Sequence, residues 1–318
     1  MDALAMFLQL SIQLGTPLLF ATLGGILCER VGHLNLGIEG MMMTGALFGF
    51  HIAYATSNPF LAVLAAALAG LVTGLIYALI TVSFRGNQTV TGFAITIFGA
   101  GFANFIGKGY SNLILSNEFI ASLGTKEIPV LSKIPLIGTA LFKQSILVPV
   151  ALAAAILLWI YMYKTRYGLN MRMVGEDAAA ADASGIHVTL YKYIHIALGG
   201  ALCGIGGGYL SLVYVPRWQD DITAGMGWIA VALVIFATWN PMKAIFGAYL
   251  FGIFKGLAIK FQNVTFHIGG LDVSLTSQIM DMLPYLMTII VLVLTTLSRK
   301  RENQAPAGIG KPYFREDR

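Results

Sequence analysis

Residues 55–75 read ATSNPFLAVLAAALAGLVTGL, and residues 237–257 read ATWNPMKAIFGAYLFGIFKGL. In the first, an Asn-Pro break opens an apolar run without a charged residue. A bilayer crossing takes roughly 20 helical residues, and this run is that long. Sliding the chain on itself by 182 positions superposes the two stretches, with eleven identities in thirty-one positions between 45 and 75. The matches are punctuation: Asn58-Pro59 falls on Asn240-Pro241, Gly45 on Gly227, and Gly70 and Gly74 on Gly252 and Gly256. Apolar helices that share a break and a Gly-xxx-Gly face predict an internal repeat in a membrane protein.

The composition agrees. Of the 318 residues, 57% are hydrophobic and 11% charged, whereas a soluble chain carries about 25% charged residues. A water-facing surface cannot be built from so few charges, so the chain reads as an all-α polytopic membrane protein. The two cysteines, Cys28 and Cys203, lie in or beside apolar runs and read as small packing residues. No Cys/His cluster has metal spacing, and no cofactor is expected. Met1-Asp2-Ala3 lacks the basic start of a signal peptide, so residues 3–27 are expected to be a retained span.

Apolar runs read against turn signals predict nine spans, near 3–27, 34–56, 59–84, 90–107, 145–163, 193–215, 226–240, 242–262 and 278–298. The seventh is short and ends at Asn240-Pro241, which suits a partial or broken helix. Cytoplasmic loops carry excess Lys and Arg. Placing the 164–192 loop and the 299–318 tail in the cytoplasm, with Arg30, Arg85 and Lys243, puts thirteen of the twenty basic residues there. The N-terminus is then outside, the C-terminus inside, and the 108–144 loop external. In this orientation the two Asn-Pro breaks face opposite sides, so the repeat is expected to have inverted topology, as transporters built around a central path do. Gly200, Gly204 and Gly208, spaced by four, predict close helix packing. Trp218, at the outer end of the sixth span, is expected to be an interfacial anchor or a contact for an external protein.

The stretch NLGIEGMMMTGA (35–46) keeps a carboxylate within an apolar run. Asn35 and Glu39 are four apart and share a helix face. A charge at membrane depth faces protein or water instead of lipid. Two readings stand. Gly37 and Gly40 permit a broken or tilted helix start that sets Asn35 and Glu39 near a translocation path, or Glu39 tethers a neighbouring helix or caps a helix start.

The loop TRYGLNMRMVGEDAAAADASGIHV (165–188) is the most informative polar segment. Glu176 and Asp177 suit the positive end of a helix dipole, Ala178 to Ala181 and Ala183 favour helix, and Gly185 is a natural terminator. This predicts a helix of about two turns near 176–185, marginal alone and so docked on something.

With these segments in view, the chain resembles the permease subunits of bacterial ABC importers in the branched-chain amino acid and simple-sugar permease superfamily. LNLGIEGMMMTGA (34–46) looks like that superfamily's Asn-x-Gly-x-Glu-Gly signature, and the 165–188 loop like its ATPase-coupling loop. TAGMGWIAVALVIFATWNP (223–241) and the tail GKPYFREDR (310–318) look most like the nucleoside-transporting branch, although Met226 and Ala237-Thr238 stand where basic residues are expected in it. The resemblance implies a type II ABC importer-like architecture with one permease domain over 1–298. It also implies a second homologous permease, two ATP-binding subunits, and an external substrate-binding lipoprotein at a bacterial inner membrane. Gly175, Glu176, Ala179, Ala180, Asp182 and Gly185 carry over as ATPase-coupling residues. No nucleotide site belongs to this chain, because Gly107-Lys108-Gly109 and Gly310-Lys311-Pro312 lack the glycine spacing and the Ser/Thr of a phosphate loop.

A nucleoside or simple-sugar path needs aromatic faces and hydroxyl or amide groups with little net charge. Asn35, Glu39, Thr96, Asn104, Trp228 and Trp239 are the candidates, each aromatic being weighed against a packing or interfacial role. An ion-coupled secondary transporter is the alternative, but it needs coupling carboxylates in the membrane, where Glu39 is nearly alone. An embedded enzyme needs grouped catalytic residues, and the histidines at 33, 51, 187, 195 and 267 are scattered.

Overall fold

The computed structural model of the chain describes residues 2–111, 113–127, 138, 143–261, 265–268, 271–274 and 304–316, with seven single positions between 282 and 293. Most of the expected ninth span, 278–298, and most of the 128–142 segment lie outside the described residues. The helices are α1 (Asp2–Arg30), α2 (Ile38–Thr56), α3 (Pro59–Ala78), α4 (Gln88–Gly107), α5 (Asn117–Leu123) and α6 (Leu147–Lys164). They continue with α7 (Arg166–Glu176), α8 (Ala178–Ala183), α9 (Val188–Tyr209), α10 (Met226–Phe236) and α11 (Pro241–Phe261). The described residues also hold π-helical turns at Leu79–Ser83 and Leu210–Tyr214, a 3-10 turn at Lys108–Tyr110, and two small antiparallel strand pairs: β1 (Thr125–Glu127) with β2 (Lys143–Ser145), and β3 (Thr265–Ile268) with β4 (Leu271–Ser274).

Among the described residues six helices, α1, α3, α4, α6, α9 and α11, are long and apolar enough to cross a membrane. The chain is therefore a mostly helical, multi-pass membrane protein. α2 has 19 residues but includes Glu39 and His51, which lower its mean hydropathy. α10 has 11 residues, or about 16 Å of helix, roughly half a bilayer core. The seventh expected span is thus a short helix that stops before Ala237.

α9 is the central post, packed by glycine against three neighbours. Gly200 and Gly204 meet Gly70 and Gly74 of α3, Gly204 also meets Gly45 of α2, and Gly199 meets Gly24 of α1. Backbone touches backbone at these crossings, so the expected small-residue stripe serves close approach and dispersion contact. The same device joins α11 to α1: a Cβ at Gly252 would lie 2.8 Å from Gly15 N, and one at Gly15 would lie 2.7 Å from Ala248 O.

The two Asn-Pro breaks are built alike. Asn58 Oδ1 accepts from the Phe60 and Leu61 amides, and Asn240 Oδ1 accepts from the Met242 amide. Each proline is the first residue of its helix, where its missing N–H costs nothing. Left-handed residues precede both: Ser57 before the first, Thr238 and Trp239 before the second.

Three expectations need correction. Gly40 does not bend α2, which starts regularly at Ile38; a Cβ on Gly40 would meet Ile95 C at 2.8 Å and Thr96 Cα at 2.9 Å, so glycine is there to admit α4. Trp218 is fully buried, its indole packed on Gly107 and 6.2 Å from the Phe50 ring, so it is a core residue. Lys192, counted with the polar loop, lies inside α9 and is buried.

Contacts sort the basic residues between two ends. Arg30 reaches Trp239 O, Lys243 reaches Thr238 Oγ1, Arg85 lies over Phe314 and Lys192 over Tyr313, all at the end that carries α7, α8 and residues 304–316. Lys143, which holds Glu127 and receives Gln9 through its carbonyl, lies at the other.

Candidate functional site

The short helix α10 is held at both termini by groups about 200 residues away in the chain. At its start, Glu39 Oε1 accepts from the Thr223 hydroxyl and, at 2.9 Å, from the Gly225 amide; Oε2 accepts from the Gly227 amide. A helix start leaves amides without intrahelical partners and carries partial positive charge, so a carboxylate satisfies both needs. Gly227 is required by this arrangement, because a Cβ there would fall 2.5 Å from Glu39 Cα. At its finish, the Arg30 guanidinium donates to Trp239 O at 3.1 Å and Thr238 O at 3.3 Å, and the Trp239 indole donates to Glu29 Oε2 at 2.6 Å. An anion at the start and a cation at the finish complement the dipole. Each is typically worth about 0.3–1 kcal/mol, and up to about 2 kcal/mol when partly buried.

The connections at both termini are conformationally unusual. Asp221 and Ala224 before α10, and Thr238 and Trp239 after it, have positive φ without being glycine. Such residues cost on the order of 1–3 kcal/mol each and persist only where the surroundings hold them. Asn104 holds Asp221, the Glu39 bonds to Thr223 and Gly225 flank Ala224, and Arg30 holds the carbonyls of Thr238 and Trp239.

The six path candidates gather around this helix and the segment leading into α2. Glu39 caps α10, as one of the two sequence readings had it. Asn35 is buried, its Oδ1 accepting from the Gly37 amide at 2.9 Å, and the Thr96 hydroxyl donates to Leu36 O at 2.8 Å. These two brace the turn between α1 and α2. Asn104 exchanges two hydrogen bonds with Asp221, at 2.8 and 3.1 Å. Trp228 lies 5.4 Å from the Phe93 ring of α4, and Trp239 is the buried partner of Glu29. Sequence reading missed Glu29, Thr223 and Thr238, and counted Arg30 only as an orientation charge; nothing local marks them. His33, in the same α1–α2 turn, is driven down to about 3 by burial and then by the Lys192 ammonium, so its ring is neutral.

The 165–188 segment forms two helices. α7 ends at Glu176, and Asp177 caps α8, its Oδ1 accepting from the Ala179 and Ala180 amides at 3.0 Å each. The expected helix therefore starts two residues late and is shorter. At its end the Gly185 amide bonds Asp182 O and the Ile186 amide bonds Ala181 O, with Gly185 at φ 82°, a Schellman stop. Ala181 is buried, whereas Ala179, Ala180, Ala183 and Gly185 are exposed. α8 thus presents a shallow, methyl-lined face to the outside. Gly175 packs face to face on the Arg30 carbonyl with no room for a Cβ, and a Cβ at Gly32 would lie 3.3 Å from Gly175 Cα. The loop that bears α8 rests directly on the residue that holds the finish of α10.

The sequence model of a family described as the permease component of the branched-chain amino acid transport system matches residues 7–292. The chain belongs to this family. It is 35% identical to the nucleoside ABC transporter permease protein NupC of Lactococcus lactis, over 88% of each chain. It is 32% identical to the guanosine ABC transporter permease protein NupQ of Bacillus subtilis, over 99% of this chain and 98% of that one. It is also 33% identical over 99% of each chain to TsgC13 of Haloferax volcanii, named for glucose ABC transport. No solved structure matches. The chain is accordingly an ABC transporter permease subunit, and ATP is hydrolysed by partner subunits.

Proposed function

We propose that the subunit imports nucleosides, with a second, homologous permease beside it, two ATP-binding subunits beneath it and a substrate-binding lipoprotein outside. The observation that carries this reading is the chain-long similarity to NupC and NupQ. Simple sugars are the second reading, favoured by the similarity to TsgC13. The end that bears α7, α8 and residues 304–316 is cytoplasmic in this proposal, the chain starts outside, and the membrane is the bacterial inner membrane. The Lys and Arg groups gathered there support that side.

The exposed Ala179, Ala180 and Gly185, with Glu176 and Asp182 on the flanks and Gly175 beneath, form the seat for an ATP-binding subunit. Movement of that seat passes from Gly175 to the α1–α2 turn, from Arg30 to Thr238 and Trp239, and so to α10. The path runs beside α10: Trp228, Asn104 and Asp221 face it, while Asn35, Glu39, Thr96 and Trp239 shape it from behind. α1–α3 and α9–α11 form two inverted units, each a long helix, a second helix, an Asn-Pro break and a glycine-faced third helix. The matched caps of Asn58 and Asn240 support that repeat.

Uptake by the complete complex reconstituted in vesicles, with competitor panels, tests the substrate. Nucleosides are expected to compete with labelled nucleoside. Competition by glucose alone would favour the sugar reading, and competition by amino acids alone would refute both.

A further inference from the structure

Residues 304–316 return to the bundle and attach at four places. The Gly308 amide donates to Gly175 O at 2.9 Å, and the Ala307 amide donates to Glu176 Oε2 at 3.2 Å. The Tyr313 hydroxyl donates to Asp182 Oδ2 at 2.8 Å, and Arg315 Nε meets the same oxygen at 3.2 Å. The Tyr313 ring lies 5.9 Å from the Lys192 ammonium, and the Phe314 ring 4.3 Å from the Arg85 guanidinium. One segment therefore joins the finish of α7, the flank of α8, the first turns of α9 and the turn after α3.

α8 needs such an attachment. It has six residues, and Ala181 is its buried side chain. A helix that short does not hold its own shape or orientation in water. Its caps fix where it starts and stops, but Asp182 is the side chain that ties its flank to the rest of the protein. At Gly175 three backbones meet, those of the α1–α2 turn, α7 and residue 308: a Cβ on Gly308 would lie 2.6 Å from Gly175 O, and one on Gly32 would lie 3.6 Å from both Gly175 O and Gly308 O. A push on α8 reaches Arg30 only if α7 and α8 move as one body against that turn. Residues 304–316 span both.

We propose that residues 304–316 are a strap that clamps α7 and α8 into one lever, and that Tyr313 and Arg315, acting through Asp182, are positioning residues for the coupling of ATP hydrolysis to transport. This rests on the reading of α8 as the seat of the ATP-binding subunit. Arg315 is largely exposed, and exposed ion pairs contribute little. Tyr313, half-buried between Asp182 and Lys192, is the stronger of the two.

The test uses the complete reconstituted complex and reads substrate moved per ATP hydrolysed, with the thermal midpoint of the assembly as control. Tyr313→Phe with Arg315→Ala is expected to lower that ratio about tenfold, the loss of two bonds to one carboxylate, while ATP hydrolysis and the midpoint stay near wild type. Arg315→Lys is expected to keep the ratio. If the double variant does not assemble, the single variants serve: a larger loss with Tyr313→Phe than with Arg315→Ala supports the strap, and unchanged ratios overturn it. Ala180→Trp in the same assay separates the two readings. Uncoupling by Ala180→Trp beside a fully coupled strap variant overturns the strap alone, whereas coupling in both overturns the seat on α8 as well.

Discussion

At its start, α10 meets one carboxylate whose two oxygens take three donors, and the cap is complete. At its finish it meets a guanidinium spread over two carbonyls and a carboxylate with one oxygen engaged by Trp239; the other, Glu29 Oε1, is buried with no hydrogen-bond partner among the described residues. The start is bonded to α2 in the middle of the bundle. The finish is bonded to the residue on which Gly175 and the α8 loop rest. Under the proposed coupling, one end is the fixed point and the other the place where force arrives. A short helix tied this way is expected to pivot instead of slide.

The largest effect is expected from breaking the fixed point. Glu39→Ala leaves the Thr223 hydroxyl and the Gly225 and Gly227 amides buried without an acceptor, at a cost on the order of 4 kcal/mol. Loss of folded protein in detergent, followed by thermal unfolding, is the expected result; a wild-type midpoint would show that the cap is dispensable. Gly175→Ala comes next, since a methyl cannot fit against the Arg30 carbonyl. It is expected to displace the loop, so that ATP hydrolysis continues while uptake stops in reconstituted vesicles.

Arg30→Ala should separate the two ends most cleanly. It frees two carbonyls at the finish, costs about 1–2 kcal/mol, and is expected to lower transport per ATP far more than stability. Equal losses in both would contradict the division of labour. The smallest effects are expected at the Asn-Pro breaks, where Asn58→Ala and Asn240→Ala each remove a helix cap worth about 1 kcal/mol. Asn58 serves two amides and Asn240 one, so the first is expected to cost more stability. The second, beside Trp239, is expected to cost more coupling.

What the sequence made legible was local. Apolar runs, Asn-Pro breaks, the glycine stripe of α9 and the terminator Gly185 depend on neighbours within a turn or two, and the structure reproduces six of the runs as long membrane helices together with the breaks, the stripe and the terminator. The Glu39 cap was half visible: a lone carboxylate in an apolar run demands a partner, yet its donors lie 184 to 188 residues downstream. Glu29 and Arg30 stood at the end of a helix, where charges are ordinary, so nothing marked them as the grip on α10. Trp218 misled because an aromatic at a span end is usually interfacial; here the missing side chain of Gly107 makes a slot for it. Gly40 misled for the related reason that a helix glycine signals either a bend or a close neighbour, and only the position of α4 decides which.

Distances from spin labels measured across the ATP cycle test the pivot most directly. Labels at exposed Asp220, before α10, and exposed Met242, after it, are each paired with one at exposed Leu157 on α6 in the complete complex in lipid. The Met242–Leu157 distance is expected to shift between the nucleotide-free and ATP-bound states while Asp220–Leu157 stays constant. Equal shifts in both pairs, or a shift confined to Asp220, would contradict a helix fixed at Glu39 and driven from Arg30.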